Sequence, residues 1–553
     1  MKILLVVCPY GIRDNKFKGL WREFLGVQYI CAVLREAGHD VTIMDPGMHR
    51  MTYDEFIKTV KRGNYEMIGF SINERAAHLA SEMLMKLREN GIDAHFVAGG
   101  HYPTLSHERV LNETPALDSI VRGEGELTIK ELADRLSSGE DWRDIQGIAY
   151  KEDGKIKLNP GRPLIDDIDT IPFPTREFLP LHIVHKGYRC YMITSRGCYG
   201  NCSYCSMNVF YAQHPNPKKW RARSAKNVVD EMELLVKKYG VKYVGIDDDN
   251  FMGPGSKGKQ RAREIADEIL KRNLEIKYIF ACRPNDVEYE LFAHLKKSGA
   301  FGVFLGIDSM NQRSLDMFNR KLTVEQNLRA IEILDDLKMK PEYGFINYDP
   351  LTKLDELKNN YEFIKSRMDK HRSYTFVYFL AKGLEIYDST SLVDYSIERN
   401  LLDKDENGDY IKDEFGYVYT IGDERAEQVR QLSFRMKSTI LDCLSDFSKK
   451  SKQLLDRVEE EKSKKYVQDR VKEMQDDLHF LMLHEYGDLL KREEEHGVMS
   501  KEEEDKFIEN FRESIIKTYE KFLAKFDPMD IEESEKLEIG REDHVPNIPM
   551  ETM

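Results

Sequence analysis

Ser195-Arg196-Gly197-Cys198-Tyr199-Gly200-Asn201-Cys202-Ser203-Tyr204-Cys205 places three cysteines in the spacing C-x3-C-x2-C. Three soft thiolates on one short loop can hold three irons of a 4Fe–4S cube and leave the fourth iron without a protein ligand. An iron with an open position can bind a small molecule and pass it an electron, whereas a relay cluster normally closes all four. Zinc is the alternative for three neighbouring cysteines, with a fourth ligand supplied from elsewhere. Zinc sites usually come as paired C-x2-C units, and Cys8, Cys31, Cys190, Cys282 and Cys443 are scattered singly. A disulfide framework does not suit a long chain with eight cysteines and no secretory signal.

Working outward, the cysteine loop follows an apolar strand at Tyr191–Ser195 and opens a strand–helix alternation. Strands are expected at 241–246, 276–282, 302–305, 343–347 and 374–380, with helices at 227–238, 261–271, 287–298 and 324–337. Six such units predict a partial (β/α)6 barrel over residues 186–390, open on one side. Polar residues at the carboxyl ends of its strands are the candidates for chemistry. They include Asp248 in Asp247-Asp248-Asp249-Asn250, then Arg283, then Asp308 and Ser309 in Gly306-Ile307-Asp308-Ser309.

The N-terminal segment repeats the same alternation: strands at 3–7, 40–44, 66–71, 94–98 and 118–121, with helices at 21–37 and 76–88 and another from Glu126. This predicts a doubly wound, Rossmann-like α/β domain over residues 1–145, which binds ligands at the carboxyl ends of its strands. Ser71, Gly99, Gly100, Gly123, Glu124 and Gly125 fall at those ends. Glycine there lets backbone approach a large ligand closely, or simply makes a tight turn. A hairpin turning at Asp153-Gly154 and a stretch with Pro163, Pro172 and Pro174 make residues 146–185 a hairpin and linker.

The cysteine spacing, with Tyr204 before the last cysteine, resembles the signature of the radical S-adenosylmethionine (radical SAM) enzymes. Gly99-Gly100-His101-Tyr102-Pro103-Thr104, followed by Val121-Arg122-Gly123-Glu124-Gly125-Glu126, looks like the cobalamin-binding domain that precedes many of their cores. Trp220-Arg221-Ala222-Arg223-Ser224, Asp248-Asp249-Asn250-Phe251, Arg283, Gly306-Ile307-Asp308-Ser309 and Lys321 match the order seen in that subfamily. The resemblance covers roughly residues 1–390. It implies that Cys198, Cys202 and Cys205 bind the 4Fe–4S cluster. Tyr204 would lie beside the adenine of S-adenosylmethionine, with Asp248 and Asp308 near its amino and ribose groups, and with Arg283 and Ser309 completing that site. It implies that cobalamin is cradled by Ser71, Gly99, Gly100, Gly123, Glu124 and Gly125. The chain departs from the family in three places. His101 is displaced by one position from the commoner Gly-Gly-Pro-His, Asp308 stands for the usual Glu, and D-x-H-x-x-G is missing after Val7. The last departure implies a cobalt without a protein histidine beneath it. His101 is otherwise a capping or exposed residue.

Residues 391–553 drop the alternation. A hairpin is expected over Asp403–Tyr419, then amphipathic helices through Val429–Phe447, Met474–Leu489 and Phe507–Phe522, and a flexible tail from about Asp530. His479 and His484 read as surface residues. This third is expected to be an α-helical cap that closes the barrel and helps choose the substrate, or else a module that docks a partner.

A chain of 553 residues with 41% hydrophobic content supports about three domains. No apolar run approaches the ~20 residues that span a bilayer. A net charge of −14 is the wrong sign for a general nucleic-acid binder. Reduced thiols and an oxygen-sensitive cluster point to the cytoplasm. The expected function is a cobalamin-dependent radical SAM enzyme methylating an unactivated carbon or phosphorus centre of a small-molecule or peptide substrate, reduced by a donor such as flavodoxin or ferredoxin. Alternatives are a corrinoid-using cyclase or ring-rearranging enzyme without methyl transfer, and an iron–sulfur or zinc binding module.

Overall fold

The computed structural model describes residues 1–523 apart from 20–21, 181–189, 216–217, 372–374, 414–415 and 458–460. The expected tail from Asp530 lies outside the described residues, as do Tyr374 and the first residues of the expected barrel segment.

The first sheet has seven strands: β1 Lys2–Val7, β2 Asp40–Met44, β3 Met67–Ser71, β4 His95–Gly99, β5 Ser119–Val121, β6 Ile148–Glu152 and β7 Lys155–Leu158. Their order is β2-β1-β3-β4-β5-β6-β7, the first five parallel and the last two antiparallel. Strands covered on both faces must be apolar on both, and β1 obeys this. Leu4 and Val6 pack with Ile68, Phe70 and Phe96 on one face, and Ile3, Leu5 and Val7 with Met67 and Val97 on the other. The hairpin turning at Asp153-Gly154 extends this sheet, so the sheet continues past residue 145. A helix at Tyr53–Gly63, between β2 and β3, escaped the sequence reading although Thr52 and Glu55 form a capping box at its start.

The second sheet is parallel, with β8 Cys190–Met192, β11 Tyr243–Ile246, β12 Lys277–Cys282, β13 Ala300–Asp308 and β14 Lys340–Phe345 in that order. Between β8 and β11, β9 Ser195–Gly197 pairs antiparallel with β10 Trp220–Ala222 and carries the cysteine loop out of the sheet. The strand expected over residues 374–380 is instead a helix, Thr375–Leu380. A single parallel bridge between Tyr348 and Gly383 occupies the sixth position. Aromatic residues favour strands only weakly, and here the preceding helix Leu354–His371 and the packing against it decide the backbone.

The helices Glu424–Arg457, Glu461–His496 and Lys501–Leu523 follow the small hairpin Lys412–Asp413/Gly416–Tyr417. Val429, Leu432, Met436 and Ile440 face inward, and one apolar cluster runs from the barrel sheet into all three helices. His479, expected at the surface, is buried against Tyr378, because its helix packs on the core along that face. His484 is exposed, as expected. No helix of the described residues is long and apolar enough to cross a membrane.

Candidate functional site

The cysteine loop leaves β9 at Gly197 and is tied down by every part of the chain that surrounds it. Ser203 donates from its backbone N to the Phe318 carbonyl (2.9 Å) and from its hydroxyl to the Met317 carbonyl (2.8 Å). Asn319 donates to the Asn201 carbonyl (2.7 Å), and Leu392, at the start of the C-terminal third, donates to the Ser203 carbonyl (3.0 Å). Cys202 is buried, while Cys198 and Cys205 are half-buried. Among the described residues no three His, Cys, Asp or Glu side chains converge as one metal ion would require. A cube spreads its thiolates over separate irons, and three thiolates on one loop are the donor set it takes.

Two guanidinium groups aim at the Cys202 sulfur: Arg320 donates from Nη1 at 3.0 Å and Arg283 from Nη1 at 3.5 Å. Burial pushes the Cys198 thiol up and the Cys205 thiol up to about 11. Free thiols here keep their protons, and ligation to a metal would release them. A Cβ on Gly200 would lie 2.6 Å from Arg283 Nη1, so the guanidinium would have to move to admit one.

Asp308 ends β13 in the left-handed region, φ 58°, beside a register shift in the pairing with β14. An aspartate tolerates this conformation at some cost. The turn presents its carboxylate to Tyr204, which donates to Oδ2 at 2.8 Å, and to Arg320 Nε at 2.5 Å. Tyr204, Arg283 and Asp308 are thus brought together around Cys202. Arg320, which joins them, was missed by the sequence reading, which singled out its neighbour Lys321. Lys321 is exposed. Ser309 stands apart, its hydroxyl accepting from Asn311 N (3.2 Å) and its carbonyl from Asn327 (3.1 Å).

Asp248 is buried and fully bonded within the chain, accepting from Thr194 N (2.6 Å), Thr194 Oγ1 (2.5 Å) and Ser195 Oγ (2.7 Å). It fixes the corner from which β9 departs. Its neighbour Asp249 has a single bond, from Gly197 N at 3.0 Å, and opens onto a cavity. Burial pushes its carboxyl up to about 6, and the nearby Asp248 and Asp247 add to the shift.

That cavity, about 670 Å³, lies between the two sheets. Ser71, Gly99, Gly100, Gly123, Glu124 and Gly125 line one side, at the carboxyl ends of β3, β4 and β5. Ser195, Arg196 and Asp247 to Asp249 line the other. His101 also faces it, exposed, with its ring 4.4 Å from that of Phe210. Strand ends bare of side chains are what a large flat ligand needs on one wall.

Two of these residues also join the halves of the molecule. Glu124 accepts both Arg221 guanidinium nitrogens (2.7 and 2.9 Å) and Arg196 Nη1 (3.1 Å). Burial alone would push its carboxyl up, but Arg221 and Arg196 hold it below the usual range. Gly123 has φ 77°, and a Cβ there would land on the His214 ring of the second half. A second buried network runs from Glu23 through Arg176 to Glu231, at 2.8 Å each, and on to Arg223. No local pattern marks these pairings, because their members lie up to 153 positions apart.

The two halves that meet at the cavity match two known families. The B12 binding domain family matches residues 18–133, and the Radical SAM superfamily matches residues 192–364. The chain is 30% identical over 407 residues to a protein of Pyrococcus horikoshii named as an uncharacterized methyltransferase, covering 73% of this chain and 84% of that protein. It is 29% identical over 356 residues to an anaerobic magnesium-protoporphyrin IX monomethyl ester cyclase of Rubrivivax gelatinosus, covering 63% and 62%. Its fold resembles that of the cobalamin-dependent S-adenosylmethionine radical enzyme OxsB, solved with aqua-cobalamin and S-adenosylmethionine bound. That likeness has TM-score 0.75 at 22% identity, over 97% of this chain and 82% of OxsB. With glycine-ended Rossmann strands on one wall of its cavity, and on the other Ser195 and Arg196, from which the C-x3-C-x2-C loop departs, the chain belongs to the radical SAM enzymes that carry a B12-binding domain ahead of the radical SAM core.

Proposed function

We propose that the protein is a cobalamin-dependent radical SAM methyltransferase acting on an unactivated carbon or phosphorus centre of a small-molecule or peptide substrate. The observation that carries this reading is the single cavity walled by Ser71, Gly99 and Gly100 on one side and by Ser195 and Asp249 on the other. Cys198, Cys202 and Cys205 would hold the 4Fe–4S cluster, and the glycine-ended strands would receive cobalamin. Bound there, the cluster would supply the electron that cleaves S-adenosylmethionine and the corrinoid would supply the methyl group.

The chain's own residues orient and shield. Arg320 and Arg283 hold the Cys202 sulfur in place, each donating a hydrogen bond to it. Tyr204 and Asp308 would offer an aromatic face and a carboxylate to S-adenosylmethionine, with Arg283 beside them at Cys202 and Ser309 set back, bonded to Asn311 and Asn327. Asp248 acts at one remove, by holding Thr194 and Ser195. Glu124, whose carboxylate is committed to Arg196 and Arg221, serves the cobalamin site by fixing one wall against the other and keeping water out. A flavodoxin or ferredoxin would deliver the electron, and the reducing cytoplasm suits an oxygen-sensitive cluster.

The similarity to the anaerobic cyclase favours a second reading, ring formation with the same cofactors and no methyl transfer. Anaerobic reconstitution tests both. Dithionite and S-adenosylmethionine should yield 5′-deoxyadenosine, and Cys202→Ala should abolish that product along with bound iron. Gain of a methyl group in the converted substrate supports the transferase, and loss of hydrogens supports the cyclase. Protein that carries zinc instead of iron, or that forms no 5′-deoxyadenosine, sinks both.

A further inference from the structure

The cysteine sulfurs are not treated alike by the chain. Cys198 Sγ accepts from a neutral donor, the backbone N of Gly200, at 3.3 Å. Cys202 Sγ accepts from two guanidinium groups, Arg320 Nη1 at 3.0 Å and Arg283 Nη1 at 3.5 Å. All three partners are buried: Cys202 is 8% exposed, Arg283 6% and Arg320 5%.

Other contacts fix both guanidinium groups in this pose. Arg320 is paired through Nε with Asp308 and donates from Nη2 to the Gly306 carbonyl. Arg283 donates from Nη2 to the Arg320 carbonyl and lies over the Tyr199 ring, 5.5 Å from its centre. The carboxylates beside them are Asp308 and Asp286. Asp308 neutralises Arg320, whereas Asp286 accepts from the Tyr199 hydroxyl (2.7 Å) and from the backbone N of Arg283 (3.4 Å). The Arg283 guanidinium makes no ion pair among the described residues.

A sulfur bound to iron keeps lone pairs that accept hydrogen bonds, so both donors still serve it once a cluster is in place. Reduction adds one negative charge to the cluster. Net charge nearby and hydrogen bonds to the sulfurs are two of the levers that set its potential. Charged donors are the stronger kind, and burial leaves them unscreened by water.

We propose that Arg283 and Arg320 raise the reduction potential of the 4Fe–4S cluster by donating to the Cys202 sulfur. This rests on the cluster reading of the cysteine loop. One electron passes from a reduced flavodoxin or ferredoxin to the cluster, no bond forms or breaks, and both arginines keep their protons. They are positioning residues that act through Cys202, and Asp308 tempers the share of Arg320.

A potentiometric titration followed by electron paramagnetic resonance, on reconstituted protein free of S-adenosylmethionine, tests this. A merely structural role would not move the midpoint. Arg283→Met should lower the ratio of reduced to oxidised cluster at a fixed poise about tenfold, or ~59 mV for a one-electron couple. Arg283→Lys keeps the charge without the fork and should fall between the two. Arg320→Met should also lower the midpoint, and adding Asp308→Asn should restore part of the loss. Lys321 is the exposed neighbour of Arg320, and Lys321→Gln should leave the midpoint where it is. The titration reads the reduced fraction of whatever cluster is present, so incomplete loading does not disturb it.

Wild-type midpoints in Arg283→Met and in the double variant Arg320→Met with Asp308→Asn overturn the proposal, as does an equal shift in Lys321→Gln. Arginine variants that bind no iron at all would make these residues a requirement of assembly and overturn it too. The wild-type preparation is assayed separately for 5′-deoxyadenosine with dithionite. Cleavage with unshifted variants overturns the tuning alone. Shifted variants without cleavage in the wild type overturn the radical reaction and leave the tuning standing.

Discussion

Arg320 donates a hydrogen bond from Nη1 to the Cys202 sulfur at 3.0 Å while its Nε lies 2.5 Å from Asp308 Oδ2. One guanidinium thus joins the middle cysteine of the loop to the carboxylate at the end of β13. Both ends of the ion pair are buried, with side chains 6% and 8% exposed, so neither charge has water to fall back on.

Arg320→Met should therefore destabilise the protein by about 3–5 kcal/mol, because Asp308 loses its counter-charge and keeps only the Tyr204 hydroxyl. Adding Asp308→Asn should recover most of that loss, since the orphaned charge is then gone. Urea unfolding of the two variants checks this. Equal midpoints for wild type and the single variant would refute the coupling.

Much of this site is written locally, and the rest is not. The three cysteines lie within eight positions, so their shared loop is visible in the chain itself. Asp308 and Arg283 follow from the rule that parallel strands present chemistry at their carboxyl ends. Arg320 lies twelve residues past Asp308 and reaches back because the short helix Gln312–Met317 turns the chain so that Met317 and Phe318 meet Ser203, a tertiary event with no local periodicity. The neighbours Asp248 and Asp249 show the same limit. Both are acids at one strand end and both line the cavity, yet Asp248 is consumed by Thr194 and Ser195 while Asp249 accepts from the Gly197 backbone.

Gly123→Ala should weaken the union of the two halves. The new Cβ meets the His214 ring, and the left-handed φ alone costs about 1–2 kcal/mol for a residue with a side chain. The second change His214→Ala should remove the clash and leave only the backbone penalty, so the double variant should be more stable than Gly123→Ala alone. Thermal unfolding measures the cycle. A double variant no better than the single one would place the cost entirely in the backbone.

Asp249 makes stability depend on pH in a stated direction. Its folded carboxyl is raised to about 6, so the folded state holds the proton more tightly than the unfolded chain. Stability contributed below pH ~4 is then lost as pH rises through 6. Asp249→Asn cannot titrate and should lose less stability than wild type between pH 4 and 7. Urea midpoints at both pH values give the comparison. Identical pH slopes for the two proteins would show that the carboxyl titrates normally.

The fold was most legible where burial imposes a pattern. After Lys2 and His95 at their first positions, β1 and β4 are apolar because both faces are covered, and their ends fall within a residue of the expected ones. Residues 375–380 misled because Thr, Phe, Val, Tyr, Phe and Leu all suit a strand, while the helix they form is imposed by neighbours from residues 354–371 and 461–496. His479 looked like a surface residue for a related reason: its helix alternates charge densely, and only the packing shows which side is inward.

The cap's attachment gives the last test. Tyr486, on the helix Glu461–His496, is fully buried, and its hydroxyl lies 3.1 Å from Tyr348 Oη and accepts from Asn347 Nδ2 at 3.0 Å. Tyr348 in turn donates to the Leu380 carbonyl at 2.8 Å and meets Ser433 at 2.9 Å. Tyr486→Phe keeps the ring and removes one oxygen from this chain, leaving Asn347 short of a partner inside an apolar core. The cost should be about 1–3 kcal/mol. It should fall on the seam between barrel and cap, so amides of residues 474–490 should exchange faster while those of β1 and β4 do not. Uniform loosening of both regions would mean that the cap and the first sheet unfold as one unit.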